Sequence, residues 1–343
     1  MSEQKPKKKT SGLLGKILLW LLVLIIGGAL ALAGSAWFGW QWLQSEVADS
    51  GPAETETVLT LPRGAGLIAI ANQLEREGVI EDARIFRIWV TIDGGDRDLQ
   101  AGEYAIPARS SMLDIYDQLR AGETLSYPVT VPEGRTSAMI VRILEDSDVL
   151  TGAIAETPPE GSLLPETYFV QRGTSRQDVL DRMRADQQAL LDQLWAGRAE
   201  DLPFDTIEEA IILASIVEKE TGVASERPLV ASVFVNRLRR GMRLESDPTI
   251  IYGITGGEPL GRGIRRSELD NANNPYNTYF VDGLPPTPIA NPGRDAIAAV
   301  LNPPESDYLF FVADGTGGHA FAATYREHQR NVANWRRIER ERR

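Results

Sequence analysis

No charged residue occurs between Ile17 and Ser45, and Ile17 to Ala33 is almost wholly aliphatic. A helix needs roughly 20 such residues to cross a bilayer. The first element is therefore expected to be a transmembrane helix, placed at residues 17–44. Lys5, Lys7, Lys8, Lys9 and Lys16 precede it, and Trp37, Phe38, Trp40 and Trp42 close its far end. Lysines on one flank and interfacial aromatics on the other put the tail, residues 1–16, in the cytoplasm and the rest of the chain outside. A cleaved signal peptide is the rival reading, with Ala31-Leu32-Ala33-Gly34 as its cleavage site. The apolar region of such a peptide runs only about 7–15 residues, so the uncleaved anchor fits this stretch better.

The remainder is acidic: after Ser45 it carries 31 bases against 47 acids. Such a body is repelled by phosphate backbones, which argues against nucleic acid as a partner. The chain has no cysteine, which excludes disulfides, thiolate metal sites and cysteine nucleophiles. With only His319 and His328, a histidine-rich zinc site is not expected. No Gly-rich phosphate loop or metal-ligand cluster is visible, so no cofactor is expected.

Residues 45–57 read as a linker, with acids, Gly51-Pro52 and no apolar periodicity. An internal repeat comes next. Thr60, Pro62, Gly64, Ile70, Leu74 and Glu75 recur at one offset as Thr130, Pro132, Gly134, Ile140, Leu144 and Glu145. A weaker copy runs from Tyr104 through Pro107 to Ile115 and Leu119. Each copy reads as a strand, a turn and an amphipathic helix, and a further helix is expected near Ala83 to Thr91. The copies suggest one small α+β module over residues 58–150. The pattern resembles LysM-type glycan-binding modules, although the repeat by itself favours a spacer.

Residues 151–343 form the second expected domain. Helices are predicted near Ser175–Ala196, Thr206–Thr221, Glu226–Arg240 and Gly293–Leu301, and a buried strand at Tyr308–Ala313. Gly241 to Pro292 reads as a long irregular region, of the kind that in compact domains usually carries function. The stretch Ile207 to Glu220 is apolar on several sides and should be buried. At 100° per residue, Glu220 falls on the stripe of Leu213, Ile216 and Val217, whereas Glu218 falls on that of Ile211 and Ala214. The two acids therefore point to different sides and do not make a close carboxylate pair. A carboxyl on a buried apolar face is harder to ionise, which suits a general acid. The plain alternative is a helix-end glutamate that is solvated or paired with Lys219, Arg227 or Arg237.

The wider sequence shifts that balance. Ala214-Ser215-Ile216-Val217-Glu218-Lys219-Glu220-Thr221 is followed by Val233-Phe234-Val235-Asn236-Arg237-Leu238, Ser246-Asp247-Pro248-Thr249 and Pro275-Tyr276-Asn277-Thr278-Tyr279. Gly283-Leu284-Pro285-Pro286, Asn291-Pro292-Gly293 and Phe311-Val312-Ala313-Asp314-Gly315 come later, and Leu164-Pro165-Glu166-Thr167-Tyr168 comes earlier. This ordered series resembles the MltG (YceG-like) family of endolytic murein transglycosylases over nearly the whole chain. The resemblance implies an α+β architecture: an anchor helix, a LysM-like module and a helix-rich, partly lysozyme-like catalytic domain. It implies a single-span protein of the cell inner membrane with its catalytic domain in the periplasm.

Glu220 matches the family's catalytic glutamate, with Glu218 as the fallback. The implied reaction cleaves the β-1,4 bond between MurNAc and GlcNAc and leaves a 1,6-anhydro end. One acid suffices, because the sugar's own C6 hydroxyl replaces water. Tyr168, Asn236, Asp247, Tyr252, Tyr276, Asn277 and Tyr279 are carried as candidate substrate contacts because they fall in the matched segments; each also suits packing or loop capping. His319 reads as a turn-stabilising residue. Glycan strands, peptidoglycan synthases and the inner membrane are the implied partners. A lysozyme-like hydrolase using Asp247 as second carboxylate, and a glycan-binding scaffold without activity, are the competing readings.

Overall fold

The computed structural model describes residues 11–342; Lys5, Lys7, Lys8 and Lys9 of the expected cytoplasmic tail lie outside them. The chain forms two compact units, which divide between Leu125 and Ser126.

The first unit begins with helix α1 (Ser11–Ala48), whose stretch from Lys16 is long and apolar enough to cross a membrane. It outruns the expected span. Its last turns bury Leu43 and Val47 in the core of this unit. The expected linker over 45–57 is thus corrected: it is partly helix, and the residues after that helix are pinned rather than free. Gly51 N–H donates to Arg109 O at 3.3 Å, and Arg109 N–H donates to Ala53 O at 2.8 Å. Strand β1 (Thr57–Leu61), helices α2 (Leu67–Arg76) and α3 (Ala83–Asp93), strand β2 (Gly102–Ile106) and helix α4 (Met112–Ala121) complete the unit. The strands pair antiparallel, from Thr57 opposite Ile106 to Leu61 opposite Gly102, so the first copy and the weaker copy share one sheet. Their apolar repeat positions Ile70, Leu74, Tyr104, Ile106, Ile115 and Leu119 are all buried. Local signals place the helices. Asp82 caps α3, and Ser111 forms a reciprocal capping box with Asp114 at the start of α4.

The second unit opens with strand β3 (Tyr127–Thr130), which turns into helix α5 (Ser137–Glu145). Strands β4 (Leu150–Thr151), β5 (Thr167–Val170) and β6 (Thr174–Ser175) come next, then helices α6 (Arg176–Ala196), α7 (Ile207–Glu220), α8 (Arg227–Arg239), α9 (Asp247–Thr255), α10 (Arg266–Leu269) and α11 (Arg294–Leu301). The hairpin of β7 (Phe310–Ala313) and β8 (His319–Ala322) leads to a last helix, α12 (Tyr325–Glu341). Four of these helices fall within two residues of their predicted bounds. The predicted strand near Tyr308 is half-buried rather than buried, being one arm of a two-stranded hairpin. The region Gly241–Pro292 is not wholly irregular, since it holds α9 and α10. Helix α7 packs against α8 and α11 in a core that includes Leu213, Ile216, Val217, Phe234, Ile297 and Val300.

The boundary expected after Leu150 is displaced. Although its sequence repeats the first copy, the second strand–turn–helix copy folds with the later residues. Strand β3 pairs antiparallel with β5, from Tyr127 opposite Val170 to Thr130 opposite Thr167. Its turn is bonded to the loop before α11: Gly134 N–H donates to Asn291 O at 3.0 Å, and Asn291 N–H donates to Arg135 O at 2.9 Å. The buried Asn291 side chain accepts from Leu163 N–H at 3.0 Å and donates to Ser137 Oγ at 3.1 Å. A fragment of residues 126–343 is therefore expected to melt cooperatively, as monitored by circular dichroism. A fragment of 151–343, stripped of β3 and α5, is expected to lose that transition. Equal melting of the two would return the boundary to Leu150.

Candidate active site

Helix α7 is specified at both ends. Thr206 caps its start in a box with Glu209, and at its end Thr221 leaves helical geometry (φ −137°, ψ 130°). Between them Ile212 to Val217 are buried without a break. The two acids at its end have different surroundings, as the helical period predicts.

Glu218 is held at both of its carboxylate oxygens. Its side chain is 6% exposed; it accepts from Gly293 N–H at 3.0 Å and pairs with Arg227 at 3.4 Å. Arg227, itself buried, also reaches Glu133 at 3.4 Å and Asp295 at 3.3 Å. This network ties the turn of the second repeat and the start of α11 to α7. The neighbouring Lys219 Nζ donates to Gly134 O at 3.2 Å.

Glu220 meets a hydroxyl instead of a cation. Ser246 Oγ donates to Glu220 Oε1 at 2.5 Å. Burial pushes the Glu220 carboxyl up to about 7; the Ser246 bond opposes this, the Asp247 charge adds to it, and His319 and Arg237 pull weakly the other way. A carboxyl balanced near neutrality can both give and take a proton. The plain alternative, pairing with a nearby base, describes Glu218 and not Glu220.

Ser246 is the functional residue that sequence reasoning missed. It stands at the N-cap of α9, the position its Ser-Asp-Pro context suits, but nothing local indicates that its hydroxyl turns to Glu220. Its placement is fixed from several directions. Its N–H donates to Thr278 Oγ1 at 2.9 Å, and Thr249 Oγ1 donates to its carbonyl at 2.6 Å. Glu245, just before it, takes a left-handed conformation (φ 53°), unfavourable for a side chain with a Cβ. Buried Arg237 holds that bend: it pairs with Glu245 at 2.9 Å and donates to Arg243 O at 2.9 Å, Leu244 O at 3.0 Å and Leu309 O at 2.7 Å.

The candidate substrate residues divide. Asp247 and Tyr279 lie in the electrostatic field of Glu220, and Tyr279 Oη donates to Asp247 Oδ1 at 2.9 Å. Tyr252 and Tyr276 form an edge-on aromatic pair with centroids 4.9 Å apart, and Tyr276 Oη bonds to Thr287 Oγ1 at 2.8 Å. The other three hold the protein together. Tyr168 is buried and donates to Leu164 O at 2.9 Å. Asn236 donates to the carbonyls of Ser306 at 2.7 Å and Tyr308 at 3.1 Å. Asn277, fully buried, donates to the carbonyls of Leu269 at 2.9 Å and Asn271 at 3.0 Å. His319 is clamped by Glu226, which bonds its ring Nδ1 at 2.7 Å and accepts from its N–H at 2.8 Å.

The sequence profile of the YceG-like family matches residues 59–334. An endolytic murein transglycosylase of Streptococcus pneumoniae (serotype 2, strain D39) is 30% identical, over 88% of this chain and 62% of the relative. The chain thus spans less than two thirds of the length of that protein. An endolytic murein transglycosylase of Bacillus subtilis strain 168 is 29% identical over 90% of each chain. The crystal structure of a YceG-like protein from Listeria monocytogenes is 28% identical and covers 81% of this chain and 99% of its own, with a TM-score of 0.48.

The raised Glu220 carboxyl has a consequence for stability. Ionising it is harder in the folded than in the unfolded chain, whose reference value is 4.5. The folded state therefore loses stability as pH rises from about 4.5 towards about 7. Glu220→Gln removes that penalty. Its melting temperature should exceed that of the wild type at pH 8 and approach it at pH 4.5. A difference that does not change with pH would contradict the raised value.

Proposed function

The chain belongs to the YceG-like family, and from this premise we propose that it is a membrane-anchored endolytic lytic transglycosylase of peptidoglycan, with Glu220 as its acid and base. The observation that carries the reading is Glu220 at the end of a buried helix, bonded by Ser246 and protonated in part near neutral pH. The protonated carboxyl gives its proton to the oxygen joining MurNAc to GlcNAc. As that bond breaks, positive charge develops at C1 of MurNAc. Glu220, now a carboxylate with Ser246 donating to it, takes the proton of the C6 hydroxyl on the same sugar. O6 closes on C1, giving the 1,6-anhydro end and leaving Glu220 protonated for the next turnover. The nucleophile is already part of the ring being cleaved, which removes the entropic cost of capturing a second reactant.

Asp247 and Tyr279 are assigned to the sugar hydroxyls or N-acetyl group beside Glu220. In the same proposal the anchor crosses the inner membrane with the second unit in the periplasm. The LysM-like repeats contact glycan, and the enzyme ends nascent strands beside peptidoglycan synthases. A hydrolase is the second reading, favoured by one observation: Asp247 is a carboxylate whose charge acts on Glu220. It would make reducing ends instead of anhydro ends.

Mass spectrometry of peptidoglycan digested by the purified protein tests the proposal. Anhydro-muropeptides are expected, and reducing ends would support the hydrolase. Glu220→Gln should lower their release by about 10²–10⁴-fold, the usual worth of general acid–base catalysis, with folding retained. Glu218→Gln should leave most of the chemistry but lower the melting temperature, because it deprives buried Arg227 of a partner. Loss of activity in Glu218→Gln alone would move the acid to that residue.

A further inference from the structure

The acidic first unit carries one surface of opposite character. A shallow groove of about 560 Å³ between α2 and α3 is lined by Leu67, Ile68, Arg84, Arg87, Ile88 and Ile92, together with Thr91. Ile68, Ile88 and Ile92 are 62%, 51% and 56% exposed. Its lining holds two arginines and no carboxylate. Three large aliphatic side chains exposed side by side mark an interaction surface rather than ordinary scattered exposure. No aromatic side chain lines it, which makes it a poor platform for stacking sugars.

Its position relative to α1 says what covers it. From Ile17 to Trp40 a helix rises roughly 35 Å, slightly more than the roughly 30 Å of bilayer hydrocarbon. Trp40 therefore stands at headgroup depth. There it stacks on Trp89 of α3, with ring centroids 5.9 Å apart and planes 22° from parallel. Leu43 and Val47 then fix the end of α1 in the core beneath α3 and α4. Helix α3 is thus held at the level of the membrane surface by its own anchor. Ile88 adjoins Trp89 in sequence, and Ile92 lies within one turn of it. Arg84, which also pairs with Asp82 at 3.0 Å, and Arg87 stand on the same rim.

We propose that the α2–α3 groove rests on the bilayer, with Ile68, Ile88 and Ile92 entering the headgroup region and Arg84 and Arg87 meeting anionic lipid. The chain then has two membrane contacts: the span, and a face that limits how far the first unit can tilt on it. Apolar area plus basic side chains is the combination that binds interfacial helices to anionic membranes. The inference rests on the reading of α1 as a membrane span.

The absence of cysteine permits single labels on the full chain. Leu24→Cys, Ile88→Cys, Ile92→Cys and, on exposed Asp117 of α4, Asp117→Cys would each carry a bimane fluorophore in vesicles of 3:1 phosphatidylcholine and phosphatidylglycerol. Quenching by a shallow nitroxide lipid is compared with quenching by aqueous iodide. Labels at 88 and 92 should be quenched by the lipid at least twofold more than the label at 117, and iodide should reach them at least twofold less. Replacing both arginines with alanine, or omitting phosphatidylglycerol, should weaken the lipid quenching. Label 24 is the control for the span. If it is not quenched by a nitroxide placed deep in the acyl chains, the anchor reading fails and the proposal with it. If it is quenched but label 88 behaves like label 117, the span stands and the docking face is overturned. Protection from iodide without lipid quenching would point to a second copy of the chain on this face and would also overturn it.

Discussion

Two carboxylates, two residues apart on one buried helix, are treated in opposite ways, and the organisation of the second unit depends on that difference. Helix α7 is buried without a break from Ile212 to Val217, so a charge at the end of that stretch has to be compensated or given up. Glu218 is compensated by Arg227 and the N–H of Gly293. Among the described residues Glu220 is bonded by the hydroxyl of Ser246, and burial keeps its carboxyl near the point of half-ionisation. The same helix thus supplies a structural anion and a candidate catalytic acid, and the 100° step between successive residues separates them. Neither could take the other's place without moving Arg227 or the Ser246 loop.

The network around Glu218 explains why a repeat of the first unit became a part of the second. The turn of the second copy contributes Glu133 to Arg227 and the Gly134 carbonyl to Lys219, and Asn291 closes its backbone from the other side. Gly293 admits this arrangement, since a Cβ there would lie 1.8 Å from Glu133 Oε1. Further along α8, Arg237 holds the bend at Glu245 that turns Ser246 to Glu220. The end of α7 that carries both acids is thus braced by two networks, each built around a buried arginine of α8. A glutamate that must exchange a proton with a substrate needs its position fixed by the packing and hydrogen bonds around it.

Periodicity made α7 and the divergence of its two acids legible in the sequence, because both depend only on spacing along one helix. Facts that depend on long-range pairing were hidden. Thr60-Leu61-Pro62 and Thr130-Val131-Pro132 look alike, yet β1 pairs with β2 while β3 pairs with β5, and nothing within either copy records its partner. Ser246 stood only as one member of a matched segment, and nothing in that segment records that its hydroxyl crosses 26 positions to reach Glu220. Tyr168, Asn236 and Asn277 looked like sugar contacts because of where they fall in the matched segments. Their bonds go instead to the carbonyls of Leu164, Ser306, Tyr308, Leu269 and Asn271. Acid-rich composition disguised Val47 as linker, although it is 1% exposed in the core of the first unit.

The proposed chemistry depends on the protonation of Glu220 being set chiefly by burial, with the hydrogen bond donated by Ser246 as the main opposing influence. Its most direct test is the pH dependence of kcat/KM for release of anhydro ends, compared between the wild type and Ser246→Ala. Wild-type activity should fall above about pH 7, where Glu220 loses the proton it must deliver. Ser246 stabilises the ionised carboxyl, so its removal should shift that alkaline limb to higher pH while lowering the maximal rate. A wild-type profile that stays flat from pH 6 to pH 9, or a limb that moves to lower pH in Ser246→Ala, would contradict it.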